Sequence, residues 1–203
     1  MKALIMIDIQ NDFLPTGALA VPEGDQIIPL VNRLQPKFDL VALTQDWHPK
    51  EHKSFASQHD KQPGEVIILN GLDQILWPVH CVQGEFGAEL APGLNIDLVD
   101  RSFQKGTDPE IDSYSGFFDN DRRKATGMGD YLKEKGVTAV YIVGLATDYC
   151  VKFSALDANE LGFDTHVIID GTRGVNLNEG DVDAAVEEMK SKGITIINSS
   201  DIT

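Results

Sequence analysis

Asp8, Lys105 and Cys150 are an acid, a cation and a thiol, the parts a nucleophilic acyl transfer needs. A thiol attacks as its thiolate, so it requires a nearby base or a positive field. Asp8 could take the proton of Cys150 and return it to a leaving amine. Lys105 could pair with Asp8, fix its position and add positive field at the sulfur. The chain has no G-x-S-x-G stretch, so a serine nucleophile on a sharp elbow is not the reading.

A second group of residues has the chemistry of metal ligands. Asp46 and His48 stand two apart, which puts both side chains on one side of an extended segment. His80, from a distant part of the chain, could close a triangle around one divalent ion. A carboxylate with two imidazoles suits zinc, iron or manganese. His52 is left outside this first set as a further ligand or a supporting partner. Backbone N–H groups of Ala146 and Cys150, at the start of a helix, could hold the oxyanion of a tetrahedral intermediate. Phe13, Trp77, Tyr114 and Tyr149 would supply flat apolar walls for a planar heteroaromatic substrate.

These residues need elements to carry them. Ala3–Ile7 is an apolar run ending at Asp8, and Leu40–Thr44 is a second, followed at once by Gln45-Asp46-Trp47-His48. A third, weaker strand spans Asp97–Phe103 just before Lys105. The run 138–143 is β-branched and apolar, as a fully buried strand should be. Gly144 ends it, and Thr147 or Asp148 caps a helix over Tyr149–Leu161 closed by Gly162. Cys150 then sits in the first helical turn, where the helix dipole favours a thiolate. Further helices are predicted from Asp25, over Thr126–Lys135 and over Glu179–Lys192, and further strands over Thr165–Ile169 and Ile194–Ile197. Residues 49–92 and 106–123 read as irregular, and a loop that long in a compact domain points to function.

Strands alternating with helices predict an α/β fold: a three-layer sandwich with a mainly parallel sheet and helices on both faces. In such sheets ligands bind beyond the carboxyl ends of the strands, where Asp8, Asp46, Lys105 and Cys150 all fall. The expected organisation is one domain over 1–203, with a metal and substrate loop insertion around 45–92.

The 203 residues carry a formal charge of −15, which argues against nucleic acid or an anionic membrane as partner. Two cysteines make no disulfide framework, no apolar run is long enough to span a bilayer, and Met1-Lys2 leads directly into a strand. The expected location is the cytoplasm.

The motifs together resemble those of the nicotinamidases (nicotinamidase/pyrazinamidase), within the isochorismatase-like cysteine hydrolases. The resemblance rests on the segments 7–13 (IDIQNDF), 17–21 (GALAV), 45–49 (QDWHP), 77–82 (WPVHCV), Lys105-Gly106, 112–115 (DSYS) and 144–151 (GLATDYCV). It implies hydrolysis of nicotinamide to nicotinic acid and ammonia through a cysteine thioester, with pyrazinamide as a further substrate. It makes Asp8, Lys105 and Cys150 the catalytic triad, and Asp46, His48 and His80 the ligands of one metal ion, zinc first among the candidates. It also implies a cis peptide between Leu145 and Ala146, an oxyanion hole from the amides of Ala146 and Cys150, and a substrate ring held between Phe13 and Trp77. Self-association into a homo-oligomer is a common property of this fold. The alternatives are another small-carboxamide amidase, an isochorismatase-like hydrolase or a binding protein without activity, which would have no use for an activated thiol.

Overall fold

The computed structural model describes residues 1–202. In chain order its elements are β1 (Lys2–Ile7), α1 (Ile28–Leu34), β2 (Leu40–Asp46), β3 (Val66–Leu69), β4 (Leu72–Ile75), β5 (Arg101–Lys105), α2 (Met128–Glu134), β6 (Ala139–Leu145), α3 (Lys152–Glu160), β7 (Asp164–Arg173), α4 (Asp181–Ser191) and β8 (Thr195–Ile197). Six strands form one sheet in the order β5-β2-β1-β6-β7-β8, and every pairing in it is parallel. β3 and β4 form a separate antiparallel hairpin.

The period of two in β1 assigns each residue to a face. Ala3, Ile5 and Ile7 pack with Leu132, Val151, Ala155 and Met189, from the α2, α3 and α4 side. Leu4 and Met6 pack with Ile28, Val31 and Leu34 of α1 and with Ala88, Ala91 and Leu94 of the loop before β5. Burial on both faces explains why β1 and β6 are apolar throughout rather than alternating. This is the layered α/β architecture the sequence predicts.

Several boundaries differ from the sequence reading. The stretch 49–92 contains the β3–β4 hairpin, whose segments are short and half-exposed and so lack a clear alternation. The strand before Lys105 starts at Arg101 rather than Asp97 and includes Lys105 itself. β2 runs on through Asp46, because the polar Gln45 and Asp46 still pair with Gln104 and Lys105. β6 continues through Gly144 to Leu145, and its register against β7 shifts between Ile142 and Gly144. The segment at Asp25 is a short 3₁₀ turn before α1 begins at Ile28.

The junction after β6 departs furthest from expectation. Thr147–Val151 is a π-helical turn, and α3 begins only at Lys152, so Cys150 is not in the first turn of an α-helix. Neither Thr147 nor Asp148 caps it. The Thr147 hydroxyl donates to Thr172 Oγ1, and Asp148 accepts from the backbone of Val175 and Asn176. Both side chains reach outward, Thr147 to the end of β7 and Asp148 to the segment after it, instead of inward to their own helix.

Candidate active site

Four adjacent strands deliver four side chains to one rim. In sheet order they are Lys105 at the end of β5, Asp46 at the end of β2, Asp8 just past β1 and Cys150 in the turn after β6. Asp46 and Lys105 are register partners. β1 and β6 are neighbours although β2 to β5 lie between them in sequence, so Asp8 and Cys150 meet where the strand order reverses.

Lys105 is the hub of this cluster. Its ammonium lies 3.0 Å from Asp8 Oδ2, donates to Asp46 Oδ1 at 2.5 Å and to the Ser113 carbonyl at 2.8 Å, and is 3.5 Å from Cys150 Sγ. Burial works against its charge, but Asp46 and Asp8 hold its pKa well above the ordinary lysine value. It is therefore a fixed cation rather than a proton carrier.

Asp8 is fully buried. Its Oδ1 accepts the Thr44 hydroxyl at 2.6 Å. Oδ2 lies near Lys105 but off a hydrogen-bonding direction, so it keeps a lone pair for another proton. Burial raises the Asp8 pKa above the ordinary carboxylate value, with Lys105 opposing and Asp46 adding to the rise. A raised pKa makes a carboxylate a stronger base. The ligating atoms of Asp8, Asp46 and Cys150 all lie within 4.8 Å of one another.

The position of Cys150 does not favour a resting thiolate in the way a helix N-terminus would. Burial pushes its thiol well above the ordinary value, Lys105 pulls it down, and the carboxylates of Asp8 and Asp46 push it up again. In the resting chain the proton stays on sulfur, and Asp8 is placed to remove it.

Asp46, His48 and His80 bring their ligating atoms within 4.8 Å of one another. His48 Nδ1 is 2.9 Å from the Gly106 carbonyl, and His80 Nδ1 is 2.8 Å from the Pro78 carbonyl. A carbonyl only accepts, so in both rings Nδ1 carries the hydrogen and Nε2 presents a lone pair. Those two Nε2 atoms stand 3.6 and 3.8 Å from Asp46 Oδ2, and buried His48 Nε2 has no hydrogen-bond partner. Three lone-pair donors facing one another call for a cation. Burial lowers the His48 pKa but the Asp46 carboxylate more than reverses this, the same demand for positive charge. Imidazoles oriented by backbone carbonyls are the usual second layer of a metal site. The donor set therefore fits a divalent ion. Gly106 is part of the fit, since a Cβ there would stand 2.4 Å from His48 Cε1.

His52 stacks on His48 with ring centroids 4.3 Å apart. Its Nδ1 is 2.7 Å from Ser54 Oγ and its Nε2 is 3.3 Å from the Ile111 carbonyl. Both nitrogens are engaged away from Asp46. Burial and the neighbouring His48 lower its pKa to about 4, so it is neutral at physiological pH.

A cavity opens onto this cluster. Phe13, Trp77, Tyr114 and Tyr149 all line it, as do Ala146 and Cys150. Trp77 Nε1 donates to Tyr114 Oη at 3.1 Å, and Tyr149 meets Trp77 edge-on at 4.9 Å between centroids. These contacts fix the aromatic walls before any substrate arrives. Asp46 and His80 line the same cavity, so one bound molecule can touch both the thiol and the metal donors. The peptide between Leu145 and Ala146 is cis.

Some residues here were not assigned from sequence. Gln10 clasps Asp46: its Nε2 donates to the Asp46 and Ala88 carbonyls, and its Oε1 accepts the Asp46 N–H, each at 2.8 Å. Thr44, Leu19, Asp112 and Val175 also join the site or its walls. The available signal for Gln10 was its place two residues after Asp8 in the 7–13 motif. Nothing local marks Val175, which arrives from the segment after β7, the strand beside β6.

The chain is similar to known proteins over nearly its whole length. The family model described as Isochorismatase domain matches residues 2–201. The nicotinamidase of Escherichia coli (strain K12) is 47% identical, covering 98% of this chain and 96% of that protein. A solved structure of the Acinetobacter baumanii nicotinamidase/pyrazinamidase superposes with a TM-score of 0.97 at 47% identity, covering 100% of this chain and 98% of that one. The pyrazinamidase of Pyrococcus horikoshii, solved in complex with zinc, gives 0.80 at 41% identity, covering 97% and 98%. With that fold and that likeness, the chain belongs to the isochorismatase-domain family, on its nicotinamidase branch.

Proposed function

We propose that this chain hydrolyses nicotinamide to nicotinic acid and ammonia, serving NAD salvage, with pyrazinamide as a second substrate. The observation that carries the reading is the common cavity. Its walls hold a thiol beside a buried carboxylate, a flat aromatic lining and the Asp46 and His80 donors, which together fit a small heteroaromatic carboxamide. The reaction takes place in the cytoplasm, where the buried thiols of Cys81 and Cys150 stay reduced. No helix among the described residues is long and apolar enough to cross a membrane.

Asp46, His48 and His80 hold one divalent metal, zinc as the first expectation. When bound, it supplies positive charge that orients the substrate. Asp8 Oδ2 takes the proton from Cys150 Sγ, and the sulfur attacks the carboxamide carbon. Lys105 stays protonated throughout and offsets the charge shared among Asp8, Asp46 and the thiolate. The N–H groups of Ala146 and Cys150 donate to the oxyanion of the tetrahedral intermediate. Asp8 then gives its proton to the nitrogen, the C–N bond breaks, and ammonia leaves a thioester behind. A water molecule loses its proton to Asp8 and attacks the thioester, the C–S bond breaks, and the proton returns to sulfur. Phe13 and Trp77 hold the ring between them.

The test is ammonia release from nicotinamide by purified protein whose metal content is measured in the same preparation. Release that vanishes in Cys150→Ala supports the reading. No release from folded, metal-loaded protein would reject it and favour hydrolysis of another small carboxamide.

A further inference from the structure

Asp148 is a buried carboxylate with no part in the chemistry above. It is 5% exposed and lies two residues before Cys150. It makes no ion pair among the described residues. Its two oxygens instead accept consecutive backbone N–H groups, Val175 at 3.0 Å and Asn176 at 2.7 Å. The loop is shaped to offer them. Gly174 approaches so closely that a Cβ would meet Asp148 Oδ1 at 3.2 Å and a Val182 methyl at 2.1 Å, and Asn176 has φ of 54° in the left-handed region. Successive N–H groups turned inward in this way form a concave site for a carboxylate. The Thr147 hydroxyl adds a second tie, donating to Thr172 at 2.9 Å. Adjacent residues thus tie the turn that carries Cys150 to the end of β7 and to the segment that follows it.

That joint matters because Val175 is part of the cavity wall, alongside Cys150 and Tyr149. The loop meets no strand partner beyond Arg173, where β7 ends. We propose that Asp148 is a positioning residue that fixes Val175 against the substrate ring and so sets which ring substituents the cavity accepts. This rests on the nicotinamidase reading for the identity of the ring. Charge-assisted bonds from two main-chain N–H groups hold the wall at a set distance from the nucleophile. Without them the wall can retreat, and an added methyl group on the ring is no longer penalised.

The test compares wild type with Asp148→Ala and Asp148→Asn in two measurements. The first is amide hydrogen exchange, which needs no substrate. The Val175 and Asn176 amides should be protected in wild type and exchange rapidly in Asp148→Ala, while β6 amides keep their protection. Unchanged exchange at Val175 and Asn176 would overturn the clamp. The second is kcat/KM for nicotinamide against nicotinamides methylated at ring position 5 or 6. In Asp148→Ala, discrimination against at least one of them should shrink by about tenfold, the scale of one methyl group in an apolar pocket. Asp148→Asn, which keeps one acceptor oxygen, should fall between. A purely structural role would lower the melting temperature and leave both ratios as in wild type, and that result would overturn the proposal. If Asp148→Ala does not fold, Val175→Ala must shrink the same discrimination, and an unchanged ratio there would equally overturn it. Failure of wild type to release ammonia from nicotinamide would instead strike the functional reading, with the exchange measurement still deciding the clamp.

Discussion

Lys105 and Asp46 are bonded directly, Nζ to Oδ1 at 2.5 Å, with both side chains buried. The lysine that faces the thiol therefore also neutralises a candidate metal donor, so the acid–thiol cluster and the Asp46–His48–His80 cluster share one charge system. Lys105 is one cation among two carboxylates, and the remaining negative charge faces the imidazoles.

Replacing that cation should damage both halves. Lys105→Met leaves Asp8 and Asp46 buried and close with no cation between them, a loss that costs about 3–5 kcal/mol for a broken buried pair. The expected outcome is a lower melting temperature, partly recovered by added zinc, together with a loss of turnover that zinc does not recover. A Lys105→Met variant with normal kcat would remove Lys105 from the mechanism.

Asp8→Asn separates base from scaffold. The asparagine can still accept the Thr44 hydroxyl, so the fold should persist. Turnover should drop by about 10²–10⁴-fold, as for loss of a general acid–base group, with metal content unchanged. A near-normal rate would mean that another group takes the Cys150 proton.

Much of this arrangement could be read before any coordinates. The apolar runs of β1, β2 and β6 are unambiguous because both faces of those strands are buried, and they lead to Asp8, to Asp46 and to the turn that carries Cys150. The candidate metal donors could be proposed because Asp46 and His48 share a short motif and His80 falls in another. What was hidden is two-body information. Thr147 and Asp148 look like helix caps because cap residues and loop clamps use the same side chains, and only the return of β7 to the same rim shows which role they take. Lys105 pairs with Asp46 because β5 lies beside β2, a neighbour relation that no local pattern contains. The β3–β4 hairpin escaped because its exposed Val66 and Ile68 are as apolar as the inward Ile67 and Leu69, which leaves no alternation to read.

The reactivity of Cys150 should depend on the metal donors being filled. Its thiol is held above its ordinary pKa by burial and by Asp8 and Asp46 against Lys105, so without metal it is protonated at neutral pH and alkylation accelerates as pH rises past that range. A dication at Asp46 cancels one of the two carboxylates and favours the thiolate. Iodoacetamide labelling followed by mass spectrometry should therefore show the Cys150 profile displaced to lower pH in metal-loaded protein. Cys81, fully buried and with its thiol also pushed well up, should stay unlabelled in both forms. Coincident profiles would mean that the ion does not act on the thiol.

Gln10 gives the sharpest test of how the metal donor is held. Its carboxamide meets the Asp46 peptide on both sides, donating to the carbonyl and accepting from the N–H. Gln10→Glu keeps the shape and the acceptor but removes the donor, setting a carboxylate oxygen against the Asp46 and Ala88 carbonyls. That leaves buried acceptors unpaired, at about 1–3 kcal/mol. Asp46 would be displaced rather than lost, so zinc should bind about 10–100-fold more weakly, the usual effect of removing an outer partner of a ligand. Because the Gln10 side chain bonds only Asp46 and Ala88, and neither the Asp8 carboxylate nor Cys150, turnover at saturating zinc should recover most of the way to wild type, whereas for Lys105→Met it should not. Zinc affinity by competition with a chelating dye, read beside turnover across a zinc titration, checks both parts. Unchanged affinity would show that Asp46 holds its position without the clasp.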